Sequence, residues 1–251
     1  MPRTLIAITL TLGLALISVF AVQSASSARP SKVSAPDSPV LIELFTSQGC
    51  SSCPPADKLA QRLNREENLV VISRPVDYWD RLGWKDTLAS PENTALQRTY
   101  ARRGLSGYNG VYTPQMVVSG VFGEVGSSEA AIRAQIREAT RNAARVEMRV
   151  EPVEGRGFAI VLAGRREREA ELVLMGVSSR EDIVIGRGEN RGRTIRYTNA
   201  LIGEKALVRW SGGKRTVSVN KDQLKMAGAD RFAAVLREPN GGPVLAARWM
   251  D

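Results

Sequence analysis

Two cysteines separated by two residues constrain this chain more than any other feature. Cys50 and Cys53 are its only cysteines, and they follow an apolar segment, residues 41–45, after a short polar turn. Pro54 then begins a predicted helix, so the thiols lie one turn apart at a helix N-terminus, where free N–H groups and the helix dipole stabilise a thiolate. We expect a dithiol that opens and closes as a disulfide, with Cys50 exposed and Cys53 turned inward.

The cysteine pair also allows two other interpretations, a static disulfide and part of a metal site. A disulfide that closes only two intervening residues removes little chain entropy, so the spacing favours chemistry over stabilisation. The sequence contains no histidine, and two thiolates alone supply half of a zinc site. The absence of histidine also excludes Ser-His-Asp and Cys-His relays. We predict no bound metal and no cofactor.

The N-terminus has the composition of an export signal. Residues 4–22 are almost wholly apolar, Arg3 is the only charged residue among residues 1–28, and small residues end this stretch. We interpret residues 1–28 as a signal peptide and residues 29–38 as a linker that contains proline and serine. An uncleaved membrane anchor stays an alternative, because the apolar run approaches the length that spans a bilayer. Both interpretations predict a periplasmic or secreted protein.

The chain is basic, with a formal net charge of +9 at pH 7. An exported protein has little access to chromosomal DNA, so we expect no nucleic-acid partner. Most of the arginines are expected on the solvated surface, with weak attraction to acidic partners or anionic membranes as a minor role.

Residues 39–144 predict an α/β domain. The pattern begins with strand, helix and strand, and the first helix carries proline in its first turn. An aromatic-rich insertion that includes a helix is predicted over residues 77–112. The predicted strands are 40–45, 69–76, 115–118 and 121–125, and the predicted helices are 54–67, 91–103 and one from Ser127 or Ser128 to 144.

Residues 145–251 predict a second, all-β domain. Strand candidates recur at about ten-residue spacing with glycine turns, which is typical of a sandwich or barrel. The glycine- and arginine-rich residues 186–192 lie between two predicted strands rather than before a helix, so we interpret them as a hairpin loop and not a phosphate-binding loop. The predicted strands are 146–153, 158–163, 170–177, 182–185, 193–200, 206–210, 215–219, 231–237 and 244–249.

The order of the elements in the first domain resembles the thioredoxin fold. The resemblance implies an attacking thiol at Cys50, a resolving thiol at Cys53 and a cis-proline at Pro114, where exposed backbone beside Thr113 pairs with an extended substrate. The predicted fold class is therefore an α/β thioredoxin-like domain followed by an all-β, sandwich-like C-terminal domain. No tryptophan precedes Cys50 as in thioredoxins, and Ser51 and Ser52 separate the cysteines, which leaves the redox potential open.

Three longer motifs are similar to the DUF1223 family of exported bacterial proteins. They are residues 43–57, 76–80 and 112–118. The similarity covers nearly all of the chain after the predicted signal peptide. It implies family membership and export, but no activity, because the function of the family is unknown.

Four further residues are candidates for the site. Tyr78, Trp79 and Trp84 belong to the densest aromatic and acidic cluster of the chain, which either lines a substrate groove beside the dithiol or covers a sheet edge. Glu43, in the strand that leads to Cys50, is a candidate buried acid for proton transfer to the second thiol. A structural carboxylate in the sheet is the alternative.

These features favour an exported thiol-disulfide oxidoreductase that acts on protein or small-molecule thiols and disulfides. The alternative is a non-catalytic binding protein that has a structural disulfide and a β-domain for its partner. A third hypothesis, a peroxide or arsenate-type reductase, is weakened by the absence of histidine.

Overall fold

Strands make up most of the described part of the chain. The structure is a computed structural model that describes Met1 and residues 38–251. The predicted signal peptide, apart from Met1, and all but the last residue of the predicted linker lie outside the described residues. In chain order the elements are β1 (Val40–Thr46), α1 (Pro54–Leu63), β2 (Leu69–Pro75), α2 (Pro91–Arg103), β3 (Ser106–Gly107), β4 (Gln115–Val118), β5 (Phe122–Val125), α3 (Glu129–Arg141), β6 (Val146–Val153), β7 (Gly157–Gly164), β8 (Ala170–Val184), β9 (Thr194–Trp210), β10 (Arg215–Asn220), β11 (Arg231–Arg237) and β12 (Val244–Trp249).

The fold class predicted from the sequence is wrong. Strands from both predicted domains share one nine-stranded mixed sheet, in the order β12-β11-β8-β9-β2-β1-β4-β5-β3. Only β10, β7 and β6 form a separate, three-stranded sheet in the described part. The described part of the protein is therefore mostly β with three short α-helices, and not a thioredoxin-like domain followed by a β-sandwich. The physical reason is that β9 pairs with the edge of β2, which would otherwise present unpaired backbone groups.

The strand that leads to the cysteines is the centre of the first half of the sheet. β1 pairs in parallel with β2 and antiparallel with β4. Ile42 and Leu44 pack with Leu59 and Leu63, which are four residues apart on one face of α1. This packing fixes α1 beside β1. Among the described residues, no helix combines the length and the apolar composition that a membrane crossing needs.

The two longest strands form one extended hairpin. The sequence predicted two strands each where β8 and β9 run continuously for 15 and 17 residues. The pairing shifts register between Leu172 and Val173 and between Gly176 and Val177, which marks β-bulges, and it continues through residues 178–181, which the sequence placed outside the strands. The hairpin therefore reaches from the β-rich half of the chain, residues 145–251, to the cysteine segment.

Side chains reinforce the junction between β2 and β9. Only one register pair, Ser73 with Ala200, joins the two strands. The Ser73 hydroxyl donates a hydrogen bond to the Thr198 carbonyl at 2.8 Å, and Asn199 Nδ2 donates to the Val71 carbonyl at 2.7 Å. Asn199 has a φ of 48°, a left-handed conformation that asparagine adopts more readily than most residues.

A buried charge network crosses the same junction. The Arg74 side chain is 2% exposed, and its Nε donates to Glu43 Oε1 at 2.6 Å. Arg74 also pairs with Glu204 of β9, which in turn contacts Arg237 of β11 at 3.0 Å. Although burial raises the pKa of Glu204, the charges of Arg74 and Arg237 hold it at about 2. The network thus connects strands of both halves.

Removal of the Glu204 charge should destabilise the protein. We expect Glu204→Gln to lower the free energy of unfolding by about 3 kcal/mol, because the two arginines keep buried charges that lose their shared partner. Urea unfolding followed by circular dichroism measures the change. The exposed Glu167 provides the control, since Glu167→Gln should change this free energy by less than about 0.5 kcal/mol. Equal effects of the two substitutions would contradict a supporting role of the network.

Candidate functional site

The two cysteines form a disulfide directly before α1. Cys50 and Cys53 are joined with their Cα atoms 5.4 Å apart, and Cys53 is the N-cap of the helix. Both cysteines are 0% exposed, whereas Ser51 and Ser52 between them are exposed. The predicted exposure of Cys50 is therefore wrong. The reason lies in a loop from the other half of the chain.

The loop between β8 and β9, residues 185–193, covers the cysteine segment, and we call it the hairpin tip. Asn190 is fully buried, and its Nδ2 donates hydrogen bonds to the carbonyls of Gln48 at 3.0 Å and Cys50 at 2.8 Å. The Ser51 N–H donates to Glu189 Oε2 at 3.1 Å. The interpretation of residues 186–192 as a hairpin loop is confirmed, but its contact with the cysteines is a finding of the structure.

Trp84 contacts both the hairpin tip and the turn before the cysteines. A Cβ atom on Gly186 would lie 2.9 Å from Trp84 Cζ3, so the indole occupies space that only glycine leaves. The indole Nε1 donates to Gln48 Oε1 at 2.8 Å. Trp84 thus contacts the tip and the cysteine turn together.

Trp79 connects the same turn with the predicted proline site. The Thr113-Pro114 peptide bond is cis, as predicted. Trp79 Nε1 donates to Thr113 Oγ1 at 2.9 Å, and a Cβ atom on Gly49 would lie 3.2 Å from Trp79 Cβ. Trp79 therefore bridges the residue before Cys50 and the residue before Pro114.

Two other predicted site residues have partners in the core. Tyr78 packs against a buried cluster that includes Phe45 and Tyr100. Glu43 is fully buried, pairs with Arg74, and accepts a hydrogen bond from the Tyr100 hydroxyl at 2.5 Å. Because side chains alternate along a strand, Glu43 lies on the opposite face of β1 from Leu44, which packs under α1.

The buried carboxyl nearest to the disulfide in sequence is Asp57, which the sequence analysis missed. Asp57 lies one helical turn after Cys53, and its N–H donates to the Cys53 carbonyl at 3.1 Å, so the two side chains share a helix face. Asp57 Oδ1 accepts a hydrogen bond from the Thr46 hydroxyl at 2.8 Å, whereas buried Oδ2 has no partner among the described residues. Its position among apolar Ala56 and Leu59 was the signal that could have revealed it.

Burial raises the pKa of Asp57 to about 8, although the Thr46 hydrogen bond acts in the other direction, and the charge of Asp86 raises it further. Asp86 itself accepts hydrogen bonds from the N–H groups of Gln48 at 2.8 Å and Leu88 at 2.9 Å. Burial raises the pKa of Asp86 to about 6, and these hydrogen bonds limit the rise. At neutral pH the site therefore contains a protonated carboxyl at Asp57.

Two depressions flank the disulfide. A groove of about 1010 Å³ lies between the start of α1 and the start of β9, and its lining includes Ser51, Pro54, Asp57, Lys58, Arg193 and Thr194. A smaller depression of about 250 Å³ is lined by Gly49, Trp79, Leu82, Trp84, Gly188 and Glu189. Within the described chain, no group of three or more histidine, cysteine or acidic residues is arranged to hold a metal ion.

The raised pKa of Asp57 predicts a pH-dependent stability. In an unfolded chain the pKa of aspartate is about 3.9, so the Asp57 contribution to the free energy of unfolding falls as the pH rises from about 4 to about 8. We expect Asp57→Asn to raise this free energy at pH 8 and to remove that decline. Urea unfolding at several pH values measures it, with Asp222→Asn at an exposed position as the control. A decline that persists in Asp57→Asn would contradict the assignment.

Comparison with known proteins gives a family but no activity. No curated protein matches the sequence. A crystal structure of a protein from Agrobacterium tumefaciens is similar, with 27% identity, a TM-score of 0.72, and coverage of 84% of this chain and 92% of that one. The structure of HBP35 of Porphyromonas gingivalis shares the fold at 13% identity and a TM-score of 0.53, over 84% of this chain and 74% of that one.

The family model described as "Protein of unknown function (DUF1223)" matches residues 41–237. This match spans the cysteine segment, the long hairpin and the buried charge network. The resemblance found in the sequence motifs is confirmed, and the chain belongs to the DUF1223 family.

Proposed function

We propose that this protein is a thiol-disulfide oxidoreductase that exchanges disulfides with a partner through Cys50 and Cys53. The observation that carries the proposal is the position of Asp57, a buried carboxyl that lies one helical turn after the disulfide. Burial raises the pKa of Asp57 to about 8, so the carboxyl destabilises the folded protein at neutral pH. A disulfide that only staples the chain needs no such group, whereas a thiol that gains and loses a proton does.

In the proposed reaction, a partner thiolate attacks the Cys50 sulfur. The bond between Cys50 and Cys53 breaks, a mixed disulfide forms with Cys50, and the electron pair leaves on the Cys53 sulfur. Protonated Asp57 donates its proton to this thiolate and becomes a carboxylate. In the reverse direction, Asp57 accepts the proton from Cys53 while Cys53 attacks the mixed disulfide and releases the partner thiolate.

Access to the Cys50 sulfur requires movement of the hairpin tip in this mechanism. The side-chain hydrogen bonds of Asn190 hold the tip against the cysteine segment, and the bond from Ser51 to Glu189 lies at the exposed surface. Exposed hydrogen bonds open more easily than buried ones, so the two buried bonds of Asn190 are the main resistance to this movement. The smaller depression, which presents Trp79 and Trp84 beside Gly49, is the proposed contact for the partner before the tip opens.

The proposal includes an exported location and partners that carry thiols or disulfides. Disulfides persist in oxidising compartments outside the cytoplasm, and the cysteine pair of this protein is joined. The apolar composition of residues 4–22 supports a signal peptide or an N-terminal anchor. The direction of electron flow follows from the potential of the partner.

A second candidate is a non-catalytic binding protein with a structural disulfide. The complete burial of both cysteines favours it, because reactive cysteines are usually accessible in part. In this case the hairpin tip would be a permanent cover, and the partner would bind elsewhere on the β-rich half.

The rate of disulfide reduction separates the two candidates. We expect dithiothreitol to reduce Asp57→Asn at least tenfold more slowly than wild type at pH 7, because the leaving Cys53 thiolate loses its proton donor. We expect Asn190→Ala to be reduced faster, since the tip loses both bonds to the cysteine segment. The rate constant of the wild type, corrected for the thiolate fraction of the reagent, should fall as the pH rises through about 8.

Alkylation of the released thiols, followed by gel mobility, measures these rates. Asn220→Ala, at the end of β10, is the matched control for Asn190→Ala and should leave the rate unchanged. Reduction of Asp57→Asn at the wild-type rate would overturn the proposed proton transfer and favour the binding protein.

A further inference from the structure

The larger groove beside the disulfide is lined by an edge of β9 that no described strand covers. Over residues 194–198, β9 pairs on one side with β8, and its pairing with β2 on the other side is confined to Ala200. Gln61 Nε2 donates to the Arg196 carbonyl at 3.0 Å, and the Ser73 hydroxyl donates to the Thr198 carbonyl. Residues two apart in a strand present their backbone groups to the same edge. Thr194 therefore also presents its backbone to the groove.

The groove has the size and position to hold a segment of a partner. Its volume of about 1010 Å³ is at the upper end of ordinary ligand pockets. Ser51 and Pro54, on both sides of Cys53, line it together with Thr194. A chain that pairs with this edge of β9 would thus pass beside the disulfide.

The charges of the groove favour an acidic occupant. Arg196 is paired with Asp182 at 2.7 Å, whereas the Arg193 guanidinium donates to the neutral Asn190 side chain at 3.0 Å and has no ion pair among the described residues. Lys58 is exposed at the groove. Arg193 and Lys58 therefore leave a positive surplus, which attracts a segment of opposite charge.

A buried polar atom at the groove also points to an occupant. Asp57 lines the groove and is 2% exposed, and its Oδ2 has no hydrogen-bond partner among the described residues. An unpartnered buried oxygen costs free energy, which a polar group of a bound ligand would recover.

We propose that this groove binds an extended, acidic segment of a partner polypeptide as an additional strand on the edge of β9, beside the disulfide. Strand addition supplies affinity through main-chain hydrogen bonds, and the amide of the segment replaces the Gln61 side chain at the Arg196 carbonyl. The role of the segment as a redox substrate rests on the proposed function, whereas its binding does not.

The test uses the full chain in its oxidised form and a cysteine-free peptide of alternating glutamate and valine. Its fluorescence anisotropy measures binding, and a fully N-methylated peptide of the same sequence keeps the charge but lacks N–H donors. We expect N-methylation to weaken binding at least tenfold, because strand pairing needs those donors. Equal binding of the two peptides, or equally tight binding of a single-stranded DNA of the same charge, would show a general polyanion surface and overturn the proposal.

A charge-reversal pair locates the site. Lys58→Glu should weaken binding of the peptide at least tenfold, whereas Lys214→Glu, at an exposed position outside the groove, should change it less than twofold. Equal effects of the two variants would overturn the assignment to this groove.

The experiment distinguishes a failure of the binding proposal from a failure of the redox proposal, because a peptide without cysteine can bind but cannot exchange disulfides. Peptide binding with an inert disulfide would support the groove and remove the proposed redox function. Disulfide exchange without peptide binding would overturn the groove and leave the proposed function intact.

Discussion

The buried guanidinium of Arg74 is the charge on which the arrangement of the sheet depends. A buried cation is tolerated only when paired and hydrogen-bonded. Glu43 comes from the same half of the chain, but Glu204 comes from β9, and Asn93 Oδ1 accepts a further hydrogen bond at 3.1 Å. Arg74 therefore keeps all of these partners only when the long hairpin is docked on β2, so the network stabilises the nine-stranded sheet that both regions share.

The docked hairpin also explains the environment of the cysteines. A CxxC segment before a helix normally exposes its first thiol, whereas here Asn190 and Trp84 both contact the cysteine turn. The site is thus composite: α1 supplies the disulfide and Asp57, and the β-rich half supplies the cover. In the proposed mechanism, the hairpin tip controls access to the Cys50 sulfur, and Asp57 of α1 exchanges a proton with Cys53.

Local patterns predicted the local structure, and contacts distant in the sequence were missed. The apolar run of β1, the proline at the start of α1 and the Thr113-Pro114 step were all recognisable. The bond from Asn190 to Cys50 spans 140 positions, and no periodicity indicates such a contact. The sequence analysis named Glu43 as the candidate buried acid and missed Asp57. Both are buried, and only the folded sheet shows that Glu43 lies on the face of β1 opposite to Leu44, which packs under α1. The proposed boundary between residues 144 and 145 stays a prediction.

The central claim, that Cys50 and Cys53 form an exchanging pair and not a staple, is tested most directly by their equilibrium reduction potential. The oxidised protein is incubated in glutathione buffers of graded composition, and the fraction of free thiols is counted by alkylation and mass spectrometry. The account predicts a potential above about −300 mV, in the range of catalytic and regulatory disulfides. A potential well below about −300 mV would identify a structural disulfide and contradict the account.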